Sequence, residues 1–129
     1  MSKLLSESVR VRAFPDGVAI SSGEQQSQVD YTKNDETYTE GGVRDEIIPV
    51  SAADQDIDFG GVTNAKRVVL EILEGGALTV KVTGGATPNA IPLNKIMVLS
   101  GNDTQTITAI SVSNPSATVP VNLRIGIWG

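Results

Sequence analysis

Val119, Val121, Leu123, Ile125 and Ile127 occupy the odd positions near the C-terminus, while Thr118, Pro120, Asn122, Arg124, Gly126 and Trp128 occupy the even ones. Successive side chains of a strand point to opposite faces, so this run predicts a strand with one dry face. The run Thr106-Ile107-Thr108-Ala109-Ile110-Ser111-Val112 reads as its partner. Asn114-Pro115-Ser116-Ala117 lies between them and has turn chemistry. A hairpin is therefore expected over residues 104–128. Within it Ile107 and Ala109 hold one phase, and Ile110 and Val112 the other. A β-bulge at Ala109–Ile110 is the expectation from that change of phase.

The same pattern recurs upstream. Val9, Val11 and Ala13 alternate with Arg10 and Arg12 as a short strand, and Val18 and Ile20 open another. Residues 1–7 read weakly helical but are too short to stand alone. From 21 to 46 the chain is polar, with Val29, Tyr31, Tyr38 and Val43 as its few anchors. Strands are then expected around Ile47–Val50, with Pro49 at an edge or bulge, and over 54–59. The continuous apolar run Arg67–Leu73 reads as a central strand buried on both faces. Gly75-Gly76 and Gly84-Gly85 bracket the alternating Leu78, Val80 and Val82, and Gly-Gly suits a tight hairpin turn. Ile91–Leu93 and Ile96–Leu99 follow, and Ser100–Asp103 turns the chain into the last pair.

Short strands with turn signals at about every 8–12 residues indicate a sandwich or a small barrel. The expected fold is all-β: an antiparallel β-sandwich, jelly-roll-like, over residues 47–129. Residues 1–46 are expected to form an extended acidic N-terminal arm with short strands. An immunoglobulin-like sandwich is the nearest rival, without its Cys-Trp-Cys hallmark.

Composition narrows the chemistry. The chain of 129 residues has no cysteine and no histidine, and aromatics are 4%. Thiolate metal sites and Ser-His or Cys-His nucleophile pairs are thereby excluded, and the expectation is a protein that is not an enzyme and needs no cofactor. The N-terminus has no long apolar run, so neither an export signal nor a membrane association is expected. Through residue 60 there are 12 acidic and 5 basic residues; from 61 onward there are 3 and 5. An acidic first half suits a basic protein surface and disfavours nucleic acid.

Several groups of residues are candidates for chemistry or binding. Asp54, Asp56 and Asp58 alternate, which on one strand places three carboxylates about 7 Å apart on one face. The calcium-loop pattern fails, because its sixth and twelfth positions are Phe59 and Ala65 rather than Gly and Glu. A solvated face is the simpler reading, with a cation or a basic partner as the alternative, and no metal ligand is assigned. Ser21-Ser22-Gly23 lacks any base. The two Gly-Gly pairs lack the Lys-Ser/Thr of a phosphate loop. Paired carboxylates for glycoside hydrolysis lack aromatic platforms. Trp128 and Arg124 share the polar face of the last strand, and these residue types anchor interfaces. Tyr31 and Tyr38 are the corresponding candidates in the arm.

Ala65–Leu73, then Leu78–Val82, then the ending Ile107–Ile127 with its Asn114-Pro115-Ser116 turn, resemble small β-sandwich proteins of tailed bacteriophage virions. The resemblance spans about residues 60–129. It implies a virion structural protein, most directly a capsid decoration (cement) protein that binds the major capsid protein as a homo-oligomer, a trimer being favoured. It also admits a neck, tail or fibre component, including a receptor- or carbohydrate-binding module. Under this resemblance the chain is made in the host cytoplasm and resides in the phage particle, with the arm reaching along a neighbour.

Overall fold

A computed structural model describes residues 3–13, 27–83, 89–101 and 106–129. The strand expected at Val18–Ile20, the serines at 21–22 and the Gly84-Gly85 turn lie outside the described residues. The chain divides into two compact units, residues 1–38 and 39–129.

The first unit is one long antiparallel hairpin of β1 (Lys3–Ala13) and β2 (Ser27–Tyr38). Its register explains how so polar a stretch becomes strand. Arg10 stands opposite Asp30, Glu7 opposite Lys33, Val9 opposite Tyr31 and Val11 opposite Val29. Complementary cross-strand pairs stabilise a ladder by about 0.2–1 kcal/mol each, where single-residue propensity predicts little. Residues 3–7 are therefore strand, not the helical start expected, and the ladder shifts register between Leu5 and Glu7.

Among its described residues the second unit contains eight strands: β3 (Gly41–Ile48), β4 (Gln55–Asp56), β5 (Arg67–Glu74), β6 (Leu78–Thr83), β7 (Asn89–Leu93), β8 (Ile96–Ser100), β9 (Ala109–Ser113) and β10 (Val121–Trp128). They form two four-stranded sheets, ordered β3-β10-β5-β8 and β4-β9-β6-β7. The pairing is nested: β3 with β10, β4 with β9, β5 with β8 and β6 with β7, all antiparallel. One long ribbon is thus folded at β6–β7 and rolled so that alternate rungs fall in opposite sheets. The roll is closed by β10 against β5 and β9 against β6. This is the wrap of a jelly roll, built from interleaved Greek keys. The all-β sandwich is the observed fold. Residues 41–46, expected in the arm, belong to edge strand β3.

Two expected hairpins are not hairpins. β9 and β10 lie in different sheets, and so do β5 and β6. The connections at 114–120 and 75–77 arch across the core from one sheet to the other. Nor does the ladder shift at Ala109–Ile110, where β9 pairs regularly with β6. Ile107 instead bridges Ala65 before the strand begins, and this puts Ile107 and Ile110 both in the core across a polar Thr108. The shift occurs on β5 opposite Asn122/Leu123, where Leu73 is the extra residue. Leu73 is 40% exposed and Val69 half-buried, so β5 is central but not buried on both faces.

One core joins the sheets. Ile48, Val68, Leu70, Leu123 and Ile125 from one sheet meet Leu78, Val80, Leu93, Ile110 and Val112 from the other, each at most 2% exposed. Fully burying each such side chain is worth about 1.5–3 kcal/mol. The open edge at β3 is treated differently. Arg44 and Glu46 share the inward phase of Ile125 and Leu123, form an ion pair at 3.5 Å, and Glu46 accepts from Gln55 Nε2 at 3.3 Å. Inward-pointing charge on an edge strand deters pairing with another sheet. Pro92 likewise sits on an edge strand, β7, where its missing N–H is tolerated.

The arches are held by two residues. Gly75 has φ +107°, and a Cβ there would lie 2.6 Å from the Pro120 carbonyl oxygen, so only glycine fits where the two arches cross. Asn114 is 2% exposed. Its Nδ2 donates to the carbonyls of Val119 at 2.9 Å and Pro49 at 3.2 Å, while its Oδ1 accepts from Ser116 N at 3.1 Å. Ser51 N donates to Ser116 O at 2.8 Å and Asn114 N to Ala52 O at 2.9 Å. The β9–β10 arch is thereby tied to the β3–β4 connection. Asn114→Ala removes its bonds to the Pro49 and Val119 carbonyls and to Ser116 N, empties a buried site, and is expected to cost about 2–3 kcal/mol. Urea unfolding checks this; an unchanged midpoint would show that the clamp is dispensable.

Candidate protein-interaction face

The outer face of the β3-β10-β5-β8 sheet is assembled by register. Because directly opposite residues share a face, four rows cross the sheet. Trp128 pairs with Gly41 and Arg67, and Gly126 with Val43 and Val69. Arg124 pairs with Asp45 and Glu71, and Asn122 with Ile47 and Glu74. β8 extends three rows, with Ser100 beside Arg67, Val98 beside Val69 and Ile96 beside Glu71.

The middle of this face is ionic. Arg124 Nε donates to Asp45 Oδ1 at 2.9 Å and Nη2 to Oδ2 at 3.3 Å, and Nη1 stands 4.0 Å from Glu71 Oε1. The three groups come from adjacent strands, so one guanidinium spans the sheet. All are about half exposed, and water screens them, so their contribution is orientation more than stability. The hydrogen bond from Arg124, reinforced by its charge, holds the Asp45 carboxyl below the usual carboxylate range, and the same bond raises Arg124.

Around the ionic row the face is apolar. Val43 is 59%, Ile47 61%, Ile96 59% and Val98 45% exposed. Such a grouping on one sheet face, rather than scattered single residues, makes this face the candidate interaction site. At one end Ile47, Glu74, Val119, Pro120 and Asn122 line a shallow cleft of about 190 Å³, large enough for an apolar side chain of a partner. A second cleft, of about 210 Å³, opens beside Gly41, Arg44 and Phe59 at the β3 edge.

Trp128 is laid down on its own sheet. A Cβ on Gly126 would lie 2.5 Å from Cη2 of the indole, and one on Gly41 2.5 Å from Cδ1. The ring therefore covers two glycines whose backbone would otherwise be bare, as aromatic residues do for glycines in sheets. It remains half-buried. Gly126, two residues before Trp128 and so on the same face, was the sequence signal for this arrangement.

Of the residues expected at an interface, Arg124 and Trp128 are on this face. Tyr31 and Tyr38 belong to the hairpin unit: Tyr31 is 43% exposed with its hydroxyl 3.5 Å from Glu7 Oε2, and Tyr38 is half-buried opposite Lys3. Sequence reasoning passed over Asp45, Ile47, Ile96 and Val98. The alternation Val43, Asp45, Ile47 was available, but its inward partners are the charged Arg44 and Glu46, so no dry face revealed the strand.

The aspartate triplet does not share a strand face. β4 is only Gln55–Asp56, and Asp54 has φ +46°. Asp54 faces Lys81 at 3.0 Å and Ser113, whose hydroxyl donates to it at 3.3 Å; the Lys81 bond lowers its pKa. Asp58 Oδ1 accepts from Gly60 N at 2.8 Å. Among the described residues no three His, Cys, Asp or Glu side chains group to hold a metal ion, and no helix is long and apolar enough to cross a membrane.

Because the folded-state pKa of Asp45 is lowered, the pair stabilises the fold at neutral pH and loses that contribution as pH falls through the folded value. Arg124→Gln is expected to raise the Asp45 midpoint in a carbon-13 NMR titration. An unmoved midpoint would remove Arg124 as the cause. No family model, curated protein or solved structure matches this chain, so the functional reading rests on the geometry of the face itself.

Proposed function

We propose that the chain is a non-enzymatic virion structural protein that binds other protein subunits, as a capsid decoration (cement) protein does. The observation that supports this reading is the outer face of the β3-β10-β5-β8 sheet. Four apolar side chains there stay exposed around the Asp45–Arg124–Glu71 row. Burying them against a partner releases water, while the ionic row selects orientation and register more than it adds affinity.

The mechanism is adhesive. A rigid sandwich whose outer face spans four strands presents a surface of the kind that lies across a junction between capsid subunits. Stable contacts of this kind bury more than about 1,000 Å² in total. A neck or tail position calls for the same face and the same chemistry.

Ile47→Lys and Val98→Lys place charge where the partner is proposed to sit and leave the core untouched. Both variants are expected to keep the wild-type melting temperature within a few degrees and to lose co-sedimentation with particles of the encoding phage. Undiminished co-sedimentation of both would exclude this face. Sedimentation with isolated tails but not heads would place the protein at the tail.

A further inference from the structure

We propose that the β1–β2 hairpin is the self-association element of the protein: β1 of one copy pairs edge to edge with β2 of the next, and at least three copies close into a ring.

The first observation is the strand count. β1 and β2 run 11 and 12 residues and, among the described residues, pair only with each other, so each presents an outer edge. A two-stranded hairpin is marginal alone, and long unpaired edges are templates for another strand. The devices that blunt edge β3, inward Arg44 and Glu46, show that the sandwich protects its own edge.

The occupant follows from charge. β1 contains three basic residues and one acidic; β2 contains three acidic and one basic. Joining β1 to β1, or β2 to β2, opposes like charges, which destabilises a ladder. Joining β1 to β2 of another copy opposes unlike ones, as Arg10 with Asp30 and Glu7 with Lys33 already are within the hairpin. The contact is therefore head-to-tail, and head-to-tail contacts either close as rings or run on as filaments.

The exposed face favours closure. Val9 and Tyr31 stand directly opposite one another, yet remain 39% and 43% exposed. A ring of hairpins turns such pairs inward. Two copies supply four strands, well short of the roughly eight that give an interior wide enough for side chains, so closure takes more than two copies.

This association is separate from the proposed particle binding. A chain that assembles but does not bind particles retains the first property and lacks the second.

The test uses the full chain in solution. Light scattering is expected to give a mass of at least three 13.5 kDa copies. Amide exchange by NMR is expected to show protection at consecutive residues within 4–10 and 29–33. A lone hairpin protects only alternate amides, because successive N–H groups point to opposite edges. Ser8→Pro and Val9→Pro each delete one amide, one facing β2 and the other the outer edge. The variant that retains the hairpin's own protection is expected to be monomeric. A monomer up to about 1 mM, an oligomer in which alternate amides of both strands exchange freely, or full mass in both proline variants would each overturn the proposal.

Discussion

The buried amide of Asn114 is the interaction on which the sandwich turns. A rolled ribbon of strands has no covalent reason to stay rolled, and each change of sheet takes backbone carbonyls out of the ladders. Asn114 satisfies two of them, from Pro49 and Val119, and orders its own turn through Ser116. Removing water from carbonyls without replacing the hydrogen bond costs more than most single contacts contribute. One side chain thus fixes where β10 begins relative to β3. Gly75 then lets the neighbouring arch pass against Pro120 and Val121.

The position of β10 decides what the outer face presents. Once Val121, Leu123, Ile125 and Ile127 turn inward, Asn122, Arg124, Gly126 and Trp128 must turn outward. Register with β3 and β5 sets Arg124 between Asp45 and Glu71, and it sets the indole of Trp128 over Gly126 and Gly41. The apolar side chains of β3 and β8 flank this strip. The face follows from the same alternation that builds the core.

Alternation reports faces, not partners. The dry face of β10 and the central place of β5 are visible in the residue pattern because both depend on local periodicity. Asn114-Pro115-Ser116 and Gly75-Gly76 have the chemistry of tight turns, and nothing local distinguishes a hairpin from an arch that changes sheet. The buried role of Asn114 depends on carbonyls from a segment over sixty residues earlier. Val9–Ala13 of β1 is visible in the pattern, whereas Lys3–Ser8 and β2 depend on opposed pairs such as Glu7 with Lys33, which appear only when the register is known. The aspartates at 54, 56 and 58 mislead in the opposite direction, since regular spacing requires an extended chain and Asp54 is left-handed.

Hydrogen–deuterium exchange of the chain, free and with the phage particles proposed as its partner, tests the central claim most directly. Protection concentrated in Gly41–Ile48 and Ile96–Ser100, the strands that present Val43, Ile47, Ile96 and Val98, is the predicted result. Protection confined to Gln55–Asp56 and Asn89–Leu93 in the opposite sheet would contradict it.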